Sequence, residues 1–231
     1  AEQLKSAYGG NTETYPVIAP GAVPAARLSH EESLALRESL GWSADDYVCL
    51  LVARNPQRKG LNTVLQALLK LPPSVKLLVV GGNASTRDYV RRNAPEVAER
   101  VRTVDETSDV TPYYSCANAY VHPTLNDSFG MAPLEAMSYE LPVILSPSPW
   151  CGFAQYVTHN HDALVLSHPE SVEELSDYVN QLVASKVLHE RLVRGSQQLV
   201  QRHGWPEVAR RYEALYDALL QEREGQVASS K

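Results

Sequence analysis

The chain has 231 residues, of which 44% are hydrophobic, enough to bury a sizeable core in one large domain or two small ones. Its formal net charge of −6 removes the overall basic footprint of a nucleic-acid-binding protein. No apolar run reaches the length of a membrane-spanning helix and no signal peptide is visible.

Residues 1–29 are rich in Pro, Gly and Ala and show little periodicity, with residues 17–23 reading as a short strand that runs into a turn. Ser29 caps a helical pattern through Leu34, Leu36 and Leu40 that Gly41 ends. A strand–helix alternation follows. Residues 47–53 form a continuous apolar run, the mark of a strand buried on both faces. Residues 60–71 read as a helix with Val64, Leu65, Leu68 and Leu69 on its apolar face. Residues 76–80 read as the next buried strand, ending in Gly81 and Gly82. A helix over 86–94, a strand over 101–104, a short helix over 109–115 and a strand over 117–122 come next. The segment containing Asp127 and Glu135 opens another helix. Residues 142–145 and 163–166 are short strands. From Ser171 the pattern is helical only. Val172, Leu175, Val179, Leu182 and Val183 share one face, a second helix spans 187–202, and a third begins at Trp205–Pro206, where proline suits the first turn. The tail from Gly225 reads as frayed.

Repeated strand–helix units with short loops predict an α/β fold: a Rossmann-like, open, parallel, doubly wound sheet with flanking helices and a helical C-terminal tail. Ligands of such sheets bind beyond the carboxyl ends of the strands, and three chemically dense segments fall at such points. The first holds Arg54, Arg58 and Lys59 before Gly60 at a helix start. Cations and a helix N-terminus suit a diphosphate, because the helix dipole favours anions and arginine grips phosphate oxygens in pairs; the same segment also reads as a solvated basic turn. In the second, Gly82 follows Gly81 at a strand end, which allows a ligand close to the backbone or forms a simple turn. No Walker A or GxGxxG sequence is present. In the third, Asp127-Ser128-Phe129-Gly130-Met131 leads to Glu135. Free amides at a helix start suit phosphate or sugar oxygens, Glu135 suits a ribose diol, and Asp127 suits sugar hydroxyls or developing positive charge. The alternative makes Asp127 a helix cap and Glu135 a solvated helical residue. His122 reads as a core histidine, His159 and His161 lack a third metal ligand, and Cys151 reads as a packed thiol. Cys49, Cys116 and Cys151, without a CxxC pair, argue against a zinc ribbon and for a reducing, cytoplasmic location.

Taken in order, Arg54-x4-Lys59-Gly60, Val79-Val-Gly-Gly, Asp127-Ser-Phe-Gly-x4-Glu135-Ala-Met and Leu141-Pro-Val-Ile resemble the donor-binding half of a retaining GT-B glycosyltransferase of family 4, or group 1. The resemblance covers nearly the whole chain. Within that family, Arg58-Lys59-Gly60, Tyr120-Val-His-Pro and Cys151-Gly-Phe-Ala-x-Tyr156 are similar to lipopolysaccharide core glucosyltransferases. The resemblance implies that Lys59, with Arg54 or Arg58, neutralises the donor pyrophosphate. It implies that Glu135 holds the ribose, that Asp127 and the Phe129–Met131 amides hold the sugar, and that the base lies near residues 105–109. It implies a nucleotide-sugar donor such as UDP-glucose, a glycan or lipid-linked acceptor, and no metal or other cofactor. The first acidic position of the family's Glu-x7-Glu motif is Asp127 here, Glu140 replaces a small residue, and Asp105 stands where glycine is common.

The resemblance further implies that the acceptor-binding N-terminal half is missing. Residues 1–29 would be an interdomain connection or the start of the domain, 30–222 the Rossmann-like donor-binding domain, and 223–231 a disordered tail. Such a domain would bind donor without turnover, and membrane association at the inner face, where it exists, would belong to the missing half. The alternatives are a GT-B nucleotide-sugar epimerase, a transferase with a soluble acceptor, and a non-catalytic nucleotide-binding module. A receiver-like signalling domain is disfavoured because Arg54 stands where its acidic cluster would be.

Overall fold

A computed structural model of the chain describes residues 17–23 and 26–229. The described residues divide into two compact units. One is Val23–Val200; the other comprises the described parts of residues 1–22 and 201–231.

The first unit is built on six parallel strands: β1 (Tyr47–Val52), β2 (Val75–Gly82), β3 (Val101–Asp105), β4 (Ala119–His122), β5 (Val143–Leu145) and β6 (Leu164–Val165). Their spatial order is β3-β2-β1-β4-β5-β6. The chain first builds outward from β1, then returns to the other side of β1 to lay down β4. That reversal opens a crevice between the carboxyl ends of β1 and β4, the place where open parallel sheets bind ligands. Before β1 comes α1 (His30–Ser39). The connections are α2 (Leu61–Lys70), α3 (Ala84–Asn93) with a 3₁₀ turn (Pro95–Arg100), α4 (Thr111–Cys116), α5 (Met131–Ser138) and a second 3₁₀ turn (Gly152–Tyr156). After β6 come α6 (Val172–Ala184) and α7 (Lys186–Arg202).

The apolar runs become strands because helices cover both faces. Val48, Leu50, Leu51, Leu77, Leu78 and Val79 have no exposure beyond 0%, and burying each such side chain is worth roughly 1.5–3 kcal/mol relative to leaving it in water. Leu61, Leu65 and Leu68 of α2 and Leu175, Val179 and Leu182 of α6 join the same core, where α2 packs on α6. Val183, expected on that face, is exposed instead. Ser29 caps α1 in a full capping box with Glu32, as S-x-x-E predicts. The buried residue of α1 is Arg37, not its leucines. Its guanidinium donates to the carbonyls of Cys116, Ala44 and Asp46 and to Asn118 Oδ1, so a charge enters the interior with its donors satisfied.

Residues 17–23 form no strand. Ala22 alone pairs, in a single bridge to Gly204 with its amide donating to the His203 carbonyl at 2.8 Å. Pro20 has no amide to extend a ladder. The last helix, α8 (Trp205–Ser229), continues past the Gly225 at which the sequence placed fraying.

Gly60 holds the two sides of the crevice together. Its φ is +86°, and a Cβ there would lie 2.0 Å from the Pro123 carbonyl oxygen. Both the left-handed backbone and the contact exclude a side chain. Gly60→Ala is therefore expected to lower the unfolding free energy by about 3 kcal/mol or more, measured by urea unfolding; a loss below about 1 kcal/mol would show that the two turns can separate freely.

Candidate functional site

The site is assembled from three loops at the carboxyl ends of β1, β4 and β5. After β1, Asn55 Oδ1 accepts from the Arg58 amide at 3.1 Å, and the Lys59 and Leu61 amides bond the Asn55 and Pro56 carbonyls. This tight turn aims Lys59 at the loop after β4. That loop is fastened by the Leu125 amide, which donates to the Arg58 carbonyl at 3.0 Å. On its far side the Asp127 amide donates to the Trp150 carbonyl at 2.8 Å and the Gly152 amide to the Asp127 carbonyl at 3.0 Å. Asp127 is thus held by backbone bonds from the loop after β5.

Its side chain is the centre of the constellation. Lys59 Nζ lies 2.6 Å from Asp127 Oδ2, with the two side chains 14% and 19% exposed. The same Oδ2 lies 2.9 Å from His122 Nε2. His122 ends β4 and is fully buried. Burial lowers its pKa and outweighs the pull of Asp127 toward the charged form, so the imidazole is neutral near pH 7. Burial alone would raise the Asp127 carboxyl. The hydrogen bonds and charges of His122 and Lys59 overcome it and hold the group well below the usual carboxylate range. The carboxylate only accepts, so Nε2 carries the imidazole proton, and the unprotonated Nδ1 faces the Tyr120 hydroxyl at 3.4 Å.

Glu135 sits one turn inside α5, half-buried, and its Oε2 accepts from the Tyr114 hydroxyl at 3.1 Å. The cap of α5 is Gly130, at φ +95°, with no side-chain cap bond. Asp127 lies three residues before that cap and is not the N-cap that the alternative reading required. The helix start therefore keeps the Met131 and Ala132 amides uncapped, while Pro133 has none to offer. Phe129 packs edge-on against Phe153, and Ser128 is exposed.

The structure brings Lys59 and Asp127 together and places Glu135 on the helix that follows. Arg54 and Arg58 are not drawn into that pair. Arg54 reaches Glu106 Oε1 at 2.6 Å with 84% of its side chain exposed, and Arg58 is exposed at the turn. Gly82 is enclosed: a Cβ there would lie 2.5 Å from Thr103 Cγ2, so packing alone accounts for glycine. The Cys151 thiol is buried and pushed up to about 11 by burial, which suits a packed thiol. Among the described residues, no three His, Cys, Asp or Glu side chains gather to hold a metal ion, and no helix is long and apolar enough to cross a membrane. A groove of about 520 Å³ beside Arg27, Glu140, Leu182 and His189 shares no lining residue with this site. Sequence reasoning treated His122 as core and passed over Tyr114. The first lies five positions before Asp127 at a strand end, a readable signal; the second reaches Glu135 only through the tertiary fold.

An α/β sheet of this topology, with cations, carboxylates and uncapped amides at the switch point, places anion- and hydroxyl-binding groups where such sheets take their ligands. Residues 33–199 match the family of glycosyl transferases group 1, and the chain belongs to that family. The D-inositol 3-phosphate glycosyltransferase of Xylanimonas cellulosilytica is 28% identical over 222 residues, covering 90% of this chain and 52% of that protein. The lipopolysaccharide glucosyltransferase WaaG of Escherichia coli is 24% identical over 217 residues, covering 91% of this chain and 54% of that protein. The crystal structure of Anabaena Alr3699/HepE in complex with UDP superposes with a TM-score of 0.80 at 21% identity, covering 91% of this chain and 59% of that one. The fold is the Rossmann-like α/β fold of GT-B glycosyltransferases. The chain spans about half the length of the curated relatives it matches.

The depressed Asp127 carboxyl makes stability depend on pH. An unfolded aspartate titrates near 3.9, so between that value and the lower folded one the unfolded chain binds more protons. The stabilisation is present above about pH 4 and lost as the pH falls through the folded value. The stability difference between the unsubstituted chain and Asp127→Asn should persist from neutral pH down to about pH 5 and shrink below about pH 4. Urea unfolding across this range measures it, and parallel curves down to about pH 2 would contradict the ion-paired carboxylate.

Proposed function

We propose that this chain is the donor-binding half of a retaining glycosyltransferase that moves a hexose from a nucleotide-sugar to a glycan or lipopolysaccharide-core acceptor. The observation that carries this reading is the pairing of Lys59 with Asp127 at the mouth of an uncapped helix that also bears Glu135. Each group has a task on such a donor. Lys59 faces the diphosphate and, once the donor draws its ammonium from Asp127, stabilises the charge that grows on the diphosphate as the sugar leaves. Arg54 and Arg58, exposed on the same turn, add to it. The Phe129, Gly130 and Met131 amides and Asp127 bind the hexose. Glu135 accepts from the ribose diol. The base lies by the end of β3, where Asp105 and Glu106 pair with Arg87 and Arg54.

Membership of glycosyl transferases group 1 supports the reaction class. WaaG, named a lipopolysaccharide glucosyltransferase, supports the acceptor, and HepE, crystallised with UDP, supports the uridine diphosphate donor. The reaction needs a second half for the acceptor side of the cleft, so residues 30–222 bind donor and turn none over alone, with residues 1–29 as the connection. UDP-glucose serves as substrate, no resident cofactor is involved, and the enzyme works in the cytoplasm.

Calorimetric titration with UDP, UDP-glucose and GDP-mannose tests this. Micromolar binding of the two uridine ligands is expected, weakened about tenfold or more in Glu135→Ala because a hydrogen bond to a charged group is worth about 1.5–3 kcal/mol. Binding of GDP-mannose alone would overturn the glucose assignment, and binding of none of the three would overturn the donor reading.

A further inference from the structure

Both carboxylates at this site are held from the buried side by a neutral aromatic donor on a different element. Glu135 Oε2 accepts from the Tyr114 hydroxyl at 3.1 Å; Asp127 Oδ2 accepts a hydrogen bond from His122 Nε2 at 2.9 Å. Tyr114, Tyr120 and His122 all have 0% exposure. They form one layer. Tyr139 stacks on Tyr114 with centroids 4.8 Å apart, Tyr114 packs on Tyr120 at 5.9 Å, and Tyr120 meets His122 at 5.8 Å. Two of its members are anchored: Tyr139 Oη lies 2.9 Å from Thr111 Oγ1, and Tyr120 Oη reaches the Val52 carbonyl at 3.4 Å.

In each carboxylate only one oxygen is engaged. Lys59 and His122 both use Asp127 Oδ2, and Tyr114 uses Glu135 Oε2. Among the described residues, no group bonds Asp127 Oδ1 or Glu135 Oε1. A carboxylate pinned through one oxygen by a buried donor cannot turn, so its other oxygen points in a fixed direction. Resting on the donor-binding reading above, we propose that Tyr114 and His122 are positioning residues for the donor. Tyr114 fixes Glu135 so that Oε1 meets the ribose diol, and His122 fixes Asp127 so that Oδ1 meets a hydroxyl of the hexose. The layer also gives Asp127 a purpose as the shorter acid: its Oδ2 is already within reach of both Lys59 and His122, and the hexose is read by the second oxygen.

The two residues should act on different parts of one ligand, which a general loosening of the fold does not do. Calorimetry on the 231-residue chain with UDP and UDP-glucose separates them. Tyr114→Phe keeps the stacked ring and removes only the hydroxyl; it should weaken UDP and UDP-glucose by the same factor, about tenfold. His122→Leu should weaken UDP-glucose about tenfold more than UDP. His122→Gln, whose amide can replace the Nε2 donor, should restore most of that difference. Nitrogen-15 imidazole spectra should show His122 protonated on Nε2, and they read its role even where the leucine variant does not fold. The inference is overturned if His122→Leu weakens both ligands equally, if Tyr114→Phe changes neither, or if the proton resides on Nδ1. A chain that binds neither ligand before any substitution overturns the donor reading and this inference with it, a result distinct from unequal or absent effects in the variants.

Discussion

Two turns that are more than sixty residues apart touch backbone to backbone, Gly60 against the Pro123 carbonyl, and the site exists because they do. The contact follows from the order of the sheet. β1 and β4 are neighbours only because the chain reverses after β3, so the turns leaving them meet side by side. Once they meet, the Arg58 carbonyl accepts from the Leu125 amide, and Lys59 Nζ reaches both the Asn126 carbonyl and Asp127. A side chain on residue 60 would push the turns apart and take the lysine out of range. The cation and the carboxylate are brought together by a missing methyl group.

The Lys59–Asp127 pair is largely withdrawn from water, and desolvating two charges costs several kcal/mol per ion before their attraction offsets it. The structure meets this cost by surrounding the carboxylate with donors: Lys59 and His122 on Oδ2. The backbone of Asp127 is fixed as well, by a bridge to Cys151. Arg54–Glu106 and Arg87–Asp105 are different in kind. Both are substantially exposed, and such pairs contribute about 0–1 kcal/mol each. Their arginines stay available to an anion, because little is lost when either exchanges one oxygen partner for another.

The sheet was legible because burial on both faces writes itself as unbroken apolar runs, as in residues 47–53 and 76–80. The cap of α1 was legible because Ser29 and Glu32 act within one turn. The positions of Lys59 and Asp127 in loops that follow strands, and of Glu135 on the next helix, followed from the alternation alone. Other features depend on groups distant in sequence. Arg37 is buried because three carbonyls from two other segments converge on it, and no helical period records that. The residues behind the carboxylates escaped for the same reason: Tyr114 is twenty-one positions from Glu135. Val17 and its neighbours read as a strand because they are apolar, yet strands need partners, and here only Ala22 finds one. Asp127 looked like a cap because a helix follows it; Gly130 takes that place through its left-handed backbone.

Asp127 occupies the ammonium group that an incoming diphosphate would need. It does so as a tethered anion, at an effective concentration far above that of any free ion of similar strength. Inorganic phosphate or chloride competing for Lys59 must displace a competitor that never diffuses away. A ligand with further groups for Glu135 and the helix amides can complete the exchange. On the donor-binding reading proposed above, the Lys59–Asp127 pair would favour a ligand that offers several groups at once over a small anion, a selection set by an internal rival before any external partner arrives.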